Sequence, residues 1–207
     1  MRTGPLFRPG PRPPLEPVRG LLLCDRDGTI IENRPSYILS WPDVEFLPGS
    51  HAALDTAARA GLAIVIVSNQ SPVGRGLMTE EECLALHDQV VDSLTAEGVP
   101  VAGSYLCPHR PDQGCACRKP EPGMLRLARQ RFGAALPACF VGDSVEDMSA
   151  AVRAECHPLL VRTGRGAEQE AAVRAREELR GVTAVLDLAG AVRQVLDVLV
   201  HDPAGTR

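Results

Sequence analysis

Two aspartates stand close together after a short aliphatic run, in the order Asp25-Arg26-Asp27-Gly28-Thr29. This spacing suits phosphoryl transfer, because one aspartate can act as a nucleophile while the other moves protons to the leaving group and from the attacking water. One carboxylate and the backbone carbonyl two residues on can also face the same cation. The pair is equally compatible with an Asx turn, so its interpretation depends on what else the chain brings to this point.

Similar polar groups follow three further aliphatic runs. They are Ser68-Asn69-Gln70, Arg118-Lys119-Pro120 and Gly142-Asp143-Ser144, with Asp147 one helical turn further on. Asp143 would join Asp25 and Asp27 around Mg²⁺, which prefers oxygen ligands. Ser68 would donate a hydrogen bond to a phosphoryl oxygen, and Lys119 would place a charge on it. One polar strand end is ordinary, whereas four in succession predict a magnesium-dependent phosphoryl-transfer site.

The segment from Cys107 to Cys117 holds three cysteines and a histidine in two tight pairs, Cys107-Pro-His109 and Cys115-Ala-Cys117. Three thiolates and an imidazole complete a tetrahedral zinc site and leave no position for a catalytic water, so we predict a structural Zn²⁺. The alternatives are buried free thiols, or a redox pair at Cys115 and Cys117 that would leave Cys107 and His109 without a role. The other cysteines lie in apolar surroundings and are interpreted as core residues: Cys24, Cys83, Cys139 and Cys156.

From Gly20 onward, aliphatic runs alternate with longer amphipathic segments. The predicted strands are Leu21–Cys24, Leu62–Val67, Ala102–Leu106, Cys139–Val141, Pro158–Val161 and Val182–Leu186. The predicted helices are Gly49–Ala60, Thr79–Glu97, Pro122–Phe132, Val145–Ala154, Ala167–Leu179 and Leu188–Leu199. This alternation predicts an α/β fold with a doubly wound parallel sheet, which binds ligands beyond the carboxyl ends of its strands. Asp147 is either a carboxylate that supports the site or a first-turn residue favoured by its helix dipole.

The composition and charge limit the classes of function. The chain has 207 residues, is 44% hydrophobic and carries a formal net charge of −4. This size suits one domain, and the acidic balance disfavours a nucleic-acid partner. Without a membrane-length apolar run or the apolar core of a secretory signal, we expect a cytoplasmic protein with no membrane partner. Residues 1–19, rich in Pro and Arg, are expected to form a disordered leader, and residues 20–207 a single domain with a zinc loop at 107–117.

The strand-end motifs Asp-x-Asp-Gly-Thr, Ser-Asn-Gln, Arg-Lys-Pro and Gly-Asp-x-x-x-Asp resemble the four motifs of the haloacid dehalogenase (HAD) superfamily, over about residues 21–164. The resemblance implies a phosphatase that works through an aspartyl-phosphate. It also implies the roles of five residues: nucleophile Asp25, general acid and base Asp27, phosphate stabilisers Ser68 and Lys119, and magnesium ligand Asp143.

The zinc loop, which leads directly into Cys117-Arg118-Lys119-Pro120, resembles one branch of this superfamily, the heptose bisphosphate phosphatases and histidinol-phosphate phosphatases. The heptose enzymes are the more similar, which implies a small phosphorylated sugar as substrate. Their pattern implies contacts to the sugar or its second phosphate from Asn69, Gln70, Ser71 and Arg118, and Arg75 is a further candidate. Short insertions argue against a large cap domain, and we expect a monomer.

The chain departs from the heptose pattern at Ser144, where a lysine is usual, and in the segment Ile30–Tyr37. Both lie on the side expected to recognise substrate, so histidinol phosphate or another small phosphomonoester is an alternative substrate. A zinc-stabilised binding module without turnover is an alternative of another class.

Overall fold

The computed structural model describes residues 4–201, with side chains through residue 197. Its strands are β1 (Leu6–Pro9), β2 (Gly20–Cys24), β3 (Leu62–Asn69), β4 (Val101–Cys107), β5 (Ala138–Gly142), β6 (His157–Val161) and β7 (Thr183–Val185). Its helices are α1 (Ser50–Arg59), α2 (Ser71–Gly74), α3 (Glu80–Ala96), α4 (Gly123–Phe132), α5 (Val145–Arg153), α6 (Gly166–Ala175) and α7 (Leu188–His201). All the predicted strands and helices are present, although the helix predicted to reach Leu179 ends at Ala175 and is followed by a 3₁₀ turn, Glu177–Leu179.

The strands form one sheet in the order β1-β4-β3-β2-β5-β6-β7. Strands β2 to β7 pair in parallel, and β1 pairs antiparallel with β4. From the central β2 the chain builds outward through β3 and β4 on one side and through β5, β6 and β7 on the other. The doubly wound parallel sheet is therefore confirmed, and its direction of winding changes beside β2. A crevice at such a switch point is where α/β sheets bind ligands.

Both faces of the central strand are covered, which explains its uninterrupted aliphatic sequence. Every residue of β2 is buried. Leu22 and Cys24 belong to a core with residues of α1, α3 and α7, whereas Leu21 and Leu23 belong to a core with residues of α4 and α5. The packing of both layers fixes the direction of β2, and with it the position of Asp25 at its end.

The first strand corrects the prediction of a disordered leader. Leu6–Pro9 forms the edge strand β1, in which Leu6 pairs with Leu106 and is only 3% exposed. Phe7 packs on Tyr105 with ring centroids 4.9 Å apart. Two apolar residues are too few to predict a strand, since this pairing depends on a partner far along the chain. Residues 1–3 of the predicted leader lie outside the described residues.

The long helix α3 begins with a capping box, in which Thr79 Oγ1 accepts from the amide of Glu82 at 3.1 Å and the Thr79 amide donates to Glu82 Oε2 at 2.7 Å. Among the helices of residues 4–201, none is both long and apolar enough to cross a bilayer. Within the same residues, the segments between β2 and α1 and between β3 and α3 contain only turns, bridges, a 3₁₀ turn (Trp41–Asp43) and the short α2, so neither described segment holds a large cap domain.

Candidate active site

The residues predicted from four strand ends meet at one edge of the sheet. Asp25 directly follows β2, Ser68 lies near the end of β3, Lys119 lies beyond β4 and Asp143 directly follows β5. Because parallel strands all end on the same side, the topology alone brings them together. Asp25, Ser68 and Lys119 line a cavity of about 900 Å³, and Asp143 is fully buried beside it.

Three carboxylates and one lysine form the buried centre of the site. Lys119 Nζ lies 2.8 Å from Asp25 Oδ1 and 2.7 Å from Asp147 Oδ1, and it donates to the carbonyl of Val67 at 3.0 Å. One oxygen from each of Asp25, Asp143 and Asp147 lies within 4.8 Å of the other two. A single buried lysine leaves this cluster with excess negative charge. Oxygen ligands with excess negative charge suit a divalent cation such as Mg²⁺.

The pKa values reflect this concentration of charge. Burial raises the pKa of Asp25 to about 7, although Lys119 opposes the shift. Burial and the neighbouring Asp147 raise the pKa of Asp143 to about 6. Against the effect of its own burial, the carboxylates of Asp147 and Asp25 hold the pKa of Lys119 above its ordinary value. The lysine therefore stays charged, and the carboxylates ionise at a free-energy cost that a bound cation would offset.

The loop after Asp27 packs tightly against the loop after β6. Thr163 Oγ1 donates to the carbonyl of Gly28 at 2.7 Å, and the amide of Arg165 donates to Asp143 Oδ2 at 2.9 Å. Gly28 has φ of 88°, and a Cβ there would lie 2.1 Å from Asp143 Oδ2. Glycine is required here by both the backbone angle and the close approach of the carboxylate.

Arg26, to which the sequence analysis gave no role, holds the carboxylate of Asp27. Its Nε donates to Asp27 Oδ1 at 2.7 Å and its Nη2 to Oδ2 at 3.2 Å, and its side chain is 1% exposed. The Asp27 carboxylate therefore faces Arg26 and is not part of the carboxylate cluster. A magnesium contact through the backbone carbonyl of Asp27 stays a prediction.

Gln70 connects Asp27, the proposed general acid and base, with Ser68, the proposed phosphate stabiliser. Its Oε1 accepts from Arg26 Nη2 at 3.1 Å, while its Nε2 donates to Asp27 Oδ2 at 3.2 Å and to Ser68 Oγ at 2.9 Å. Because Ser68 accepts this hydrogen bond, its own hydroxyl hydrogen is available to donate to a ligand. Gln70 is buried and does not line the cavity, so its place in the structure suits positioning of its neighbours better than the substrate contact predicted for it.

Arg118 forms part of the cavity wall, where two hydrogen bonds fix it. Its Nη1 donates to Ser71 Oγ at 2.8 Å and to the carbonyl of His109 at 3.1 Å. The side chain of Asn69 binds the backbone of Lys119, the residue after Arg118. Asn69 Nδ2 donates to the Lys119 carbonyl at 3.1 Å, and Asn69 Oδ1 accepts from the Lys119 amide at 3.1 Å. Asn69, Ser71 and Arg118 all line the cavity, as their proposed contact with substrate requires.

The last substrate candidate, Arg75, lies elsewhere. It is exposed and lines a separate shallow depression with Arg110 and Asp112. Several residues that were not predicted to bind substrate also line the main cavity, among them Arg34, Tyr37 and Arg165. For Arg165 a signal was present, since it lies in the glycine-containing segment Thr163-Gly164-Arg165-Gly166 directly after a predicted strand.

The four predicted zinc ligands converge beside the cavity. Cys117 Sγ lies 3.4 Å from Cys107 Sγ, 3.5 Å from Cys115 Sγ and 3.2 Å from His109 Nδ1. Cys107 Sγ lies 3.7 Å from Cys115 Sγ and 3.4 Å from His109 Nδ1. Sulfurs placed tetrahedrally about 2.3 Å from zinc would be about 3.8 Å apart, so this donor set fits Zn²⁺. A hydrogen bond from Cys117 contributes most to lowering the pKa of Cys107 to about 5, and a thiolate is the form that binds zinc.

Sequence comparisons give the family context of this site. A family model described as HAD-hydrolase-like matches residues 116–190. The D-glycero-β-D-manno-heptose-1,7-bisphosphate 7-phosphatase of Bordetella bronchiseptica is 40% identical over 149 residues, which cover 70% of this chain and 82% of that protein. The enzyme of the same name from Escherichia coli K12 is 39% identical over 159 residues, covering 72% of this chain and 83% of that protein.

Solved structures agree with the sequence comparisons. The D,D-heptose 1,7-bisphosphate phosphatase of B. bronchiseptica, complexed with magnesium and phosphate, superposes with a TM-score of 0.79 at 37% identity, covering 86% of this chain and 98% of that chain. The D,D-heptose 1,7-bisphosphate phosphatase of Burkholderia thailandensis gives a TM-score of 0.63 at 28% identity, with the same coverage of 86% and 98%. Both likenesses extend well beyond the catalytic strand ends.

Proposed function

We propose that this chain removes the 7-phosphate of D-glycero-β-D-manno-heptose 1,7-bisphosphate. The chain belongs to the HAD-like hydrolases and, within them, to the family of the D-glycero-β-D-manno-heptose-1,7-bisphosphate 7-phosphatases. The observation that carries the proposal is the buried cluster at the switch point, where Lys119 contacts both Asp25 and Asp147. This contact supports the proposal because it brings the proposed nucleophile, the Lys119 ammonium and carboxylates that could hold a metal ion together beside one cavity.

The carboxylate cluster fits a magnesium ion. Asp25 and Asp143 would hold it together with the backbone carbonyl of Asp27, and Asp147 would support them through Lys119. When bound, magnesium neutralises charge on the phosphoryl group and reduces its repulsion from the attacking carboxylate. The presence of magnesium and phosphate in the B. bronchiseptica structure supports the same ion here.

The chain's own residues divide the chemical steps between them. Asp25 attacks the phosphorus and becomes an aspartyl-phosphate as the bond from phosphorus to the sugar oxygen breaks, and Asp27 protonates that oxygen so that the sugar leaves as an alcohol. Asp27 then takes a proton from the water that hydrolyses the aspartyl-phosphate. The hydroxyl of Ser68, left free to donate by Gln70, hydrogen-bonds a phosphoryl oxygen, and the charge of Lys119 stabilises the same group.

Arg118 is proposed to bind the second phosphate of the substrate. Its guanidinium is fixed at the cavity wall, and a fixed fork of N–H donors suits phosphate recognition. Asn69 and Ser71 line the same part of the cavity and would contact the sugar.

The cluster of Cys107, His109, Cys115 and Cys117 is proposed to hold a structural zinc. Its donor spacing supports a closed tetrahedral site. Cys115 also lines the cavity, so the loop that zinc would stabilise is one of the cavity walls. Metal analysis should find one zinc per chain in the wild type and none in Cys117→Ser; a full zinc content in the variant would contradict the assignment.

We place the enzyme in the cytoplasm, as a monomer without nucleic-acid partners. Its seven cysteines are all free, which suits a reducing compartment. The acidic net charge of −4 supports the lack of a nucleic-acid partner. Light scattering of the purified protein should give the mass of a single chain.

Phosphate release from a panel of substrates tests the activity. The panel contains heptose 1,7-bisphosphate, heptose 7-phosphate and histidinol phosphate, each with and without Mg²⁺. We expect magnesium-dependent turnover with preference for the bisphosphate, and a loss of at least about 10³-fold in Asp25→Asn, which lacks the nucleophile. Equal slow release by the wild type and Asp25→Asn would overturn the enzymatic assignment, and preference for histidinol phosphate would overturn the substrate.

The role of Arg118 is tested by comparing two arginine variants. Arg118→Gln should lower kcat/KM about 10- to 100-fold for the bisphosphate and much less for the 7-monophosphate, since the lost hydrogen bonds serve the second phosphate. Arg75→Gln is the matched control and should leave both substrates unaffected, because Arg75 lies outside the cavity. Equal losses on both substrates would contradict a role in binding the second phosphate.

A further inference from the structure

Four cationic side chains line the cavity in the described part of the chain: Arg34, Arg118, Lys119 and Arg165. Three of them are bonded at ordinary distances. Arg34 is bonded to a backbone carbonyl and a glutamate, Arg118 to a serine hydroxyl and a carbonyl, and Lys119 to two aspartates and a carbonyl. Arg165 Nη2, by contrast, lies 3.5 Å from Asp143 Oδ1, at the outer limit of a hydrogen bond. Its side chain is 49% exposed, so its charge is available to a ligand in the cavity.

The backbone of Arg165 is held rigidly beside the reacting centre. Its amide donates to Asp143 Oδ2 at 2.9 Å. The preceding Gly164 packs so closely on Gly28 that a Cβ there would lie 2.5 Å from the Gly28 Cα and 2.4 Å from Asp143 Oδ2. The loop is thus fixed by its glycines and amide while the arginine side chain extends toward the cavity.

The sheet order places Arg165 and Arg118 on opposite sides of the nucleophile. Arg118 follows β4, two strands from β2, and Arg165 follows β6, two strands from β2 in the other direction. At about 4.8 Å per strand, each loop begins about 10 Å from that of Asp25. The two arginines therefore reach the cavity from opposite sides of Asp25. Arg165 is the one whose guanidinium approaches Asp143, a member of the cluster at which the phosphoryl group reacts.

We propose that Arg165 is a further substrate-contacting residue. Its guanidinium would bind the phosphoryl group undergoing transfer when the Asp143 carboxylate coordinates magnesium. The inference rests on the proposed function. Its physical basis is an exchange of partners. A divalent cation on Asp143 removes the attraction that holds Arg165 at 3.5 Å, and the phosphoryl group brings a new anion within reach of the same flexible side chain.

Binding of inorganic phosphate to the magnesium-loaded protein, measured by calorimetry, tests the proposal without turnover. Arg165→Gln should weaken phosphate binding about 10- to 100-fold, as expected for a lost charge-assisted hydrogen bond. Arg165→Lys keeps the charge and should recover part of the affinity. Arg162→Gln is the matched control, because Arg162 lies on the same loop but is bonded at 2.7 Å and 3.0 Å to Glu170; phosphate affinity should not change.

The alternative is that Arg165 serves only as an ion-pair partner of Asp143 when magnesium is absent. In that case Arg165→Gln would tighten magnesium binding and leave phosphate affinity at saturating magnesium unchanged, a result that would overturn the proposal. If the wild type itself did not bind phosphate in the presence of magnesium, the proposed function would be overturned together with the role of Arg165. Failure of the Arg165 proposal alone is therefore distinguishable from failure of the proposed function. In turnover assays Arg165→Gln should impair heptose 7-phosphate and the bisphosphate equally, whereas Arg118→Gln should impair mainly the bisphosphate.

Discussion

Replacing Asp25, the proposed nucleophile, should stabilise the protein in magnesium-free buffer while abolishing the proposed activity. In the folded protein, burial raises the pKa of Asp25 from 3.8 to about 7. Between these values the folded state keeps a proton that the unfolded state has lost, so the free energy of unfolding falls as pH rises. The shift of about three pKa units amounts to about 4 kcal/mol. Asp25→Asn cannot ionise and should escape this loss.

The expected gain for Asp25→Asn over the wild type is about 4 kcal/mol at pH 8 and less than about 2 kcal/mol at pH 5, where folded wild-type Asp25 is largely protonated. Urea denaturation followed by circular dichroism measures both values. Magnesium should be removed with an ion-exchange resin, since a strong chelator would also extract zinc from the cysteine loop. Adding millimolar Mg²⁺ should narrow the gap at pH 8, because the ion stabilises the wild type through Asp25.

Asp92→Asn is the matched control, since Asp92 is exposed on α3, and it should follow the wild type at both pH values. An Asp25→Asn variant that gains the same free energy at pH 5 and pH 8, or that is less stable than the wild type at pH 8, would refute the reasoning. Either result would mean that the folded protein does not disfavour ionisation of Asp25.

Three other substitutions test separate parts of the structure. Gln70→Leu removes the hydrogen bonds to Asp27 and Ser68, so kcat should fall about 10- to 100-fold while calorimetric magnesium affinity is kept; an unchanged kcat would remove Gln70 from the positioning network. Gly28→Ala would place a Cβ 2.1 Å from Asp143 Oδ2, so the magnesium-dependent rise in Tm should disappear, and a normal rise would contradict the close packing. Leu6→Ala should lower the free energy of unfolding in urea by about 2 kcal/mol, whereas a disordered leader would give no change.

The convergence of Asp25, Ser68, Lys119 and Asp143 could be predicted from the sequence because topology determines it. Once buried runs alternate with helices, the strands must be parallel, and their polar ends must lie along one edge. No side-chain conformation enters that inference. The convergence of the four candidate zinc ligands could be predicted for a different reason, since they lie within one short segment, Cys107–Cys117.

The features that could not be predicted depend on contacts between distant residues. An arginine is usually exposed, and nothing local indicates that Arg26 turns inward to bind Asp27 and Gln70. The two interpretations of Asp147 turn out to be compatible. Its Oδ2 accepts from the amide and hydroxyl of Ser144 in a capping box, while its Oδ1 contacts Lys119 at 2.7 Å. Arg75, four residues after Ser71, lines a separate depression because the chain turns away from the main cavity through the short α2.

The connection between the zinc loop and the chemistry lies in three consecutive residues. Cys117 belongs to the zinc cluster, Arg118 lines the cavity, and Lys119 contacts the carboxylates. Adjacent Cα atoms are about 3.8 Å apart, so a displacement of Cys117 is passed directly to Lys119. The same segment is held from the other side by Asn69, whose amide group makes two hydrogen bonds to the Lys119 backbone. The irregular segment Cys117–Lys119 can therefore place a buried lysine between two aspartates, because it is held both at Cys117 and by Asn69. The structural zinc proposed for these four donors would suit this purpose, since a closed ligand set would add rigidity to the loop while leaving the proposed reaction to the strand-end carboxylates.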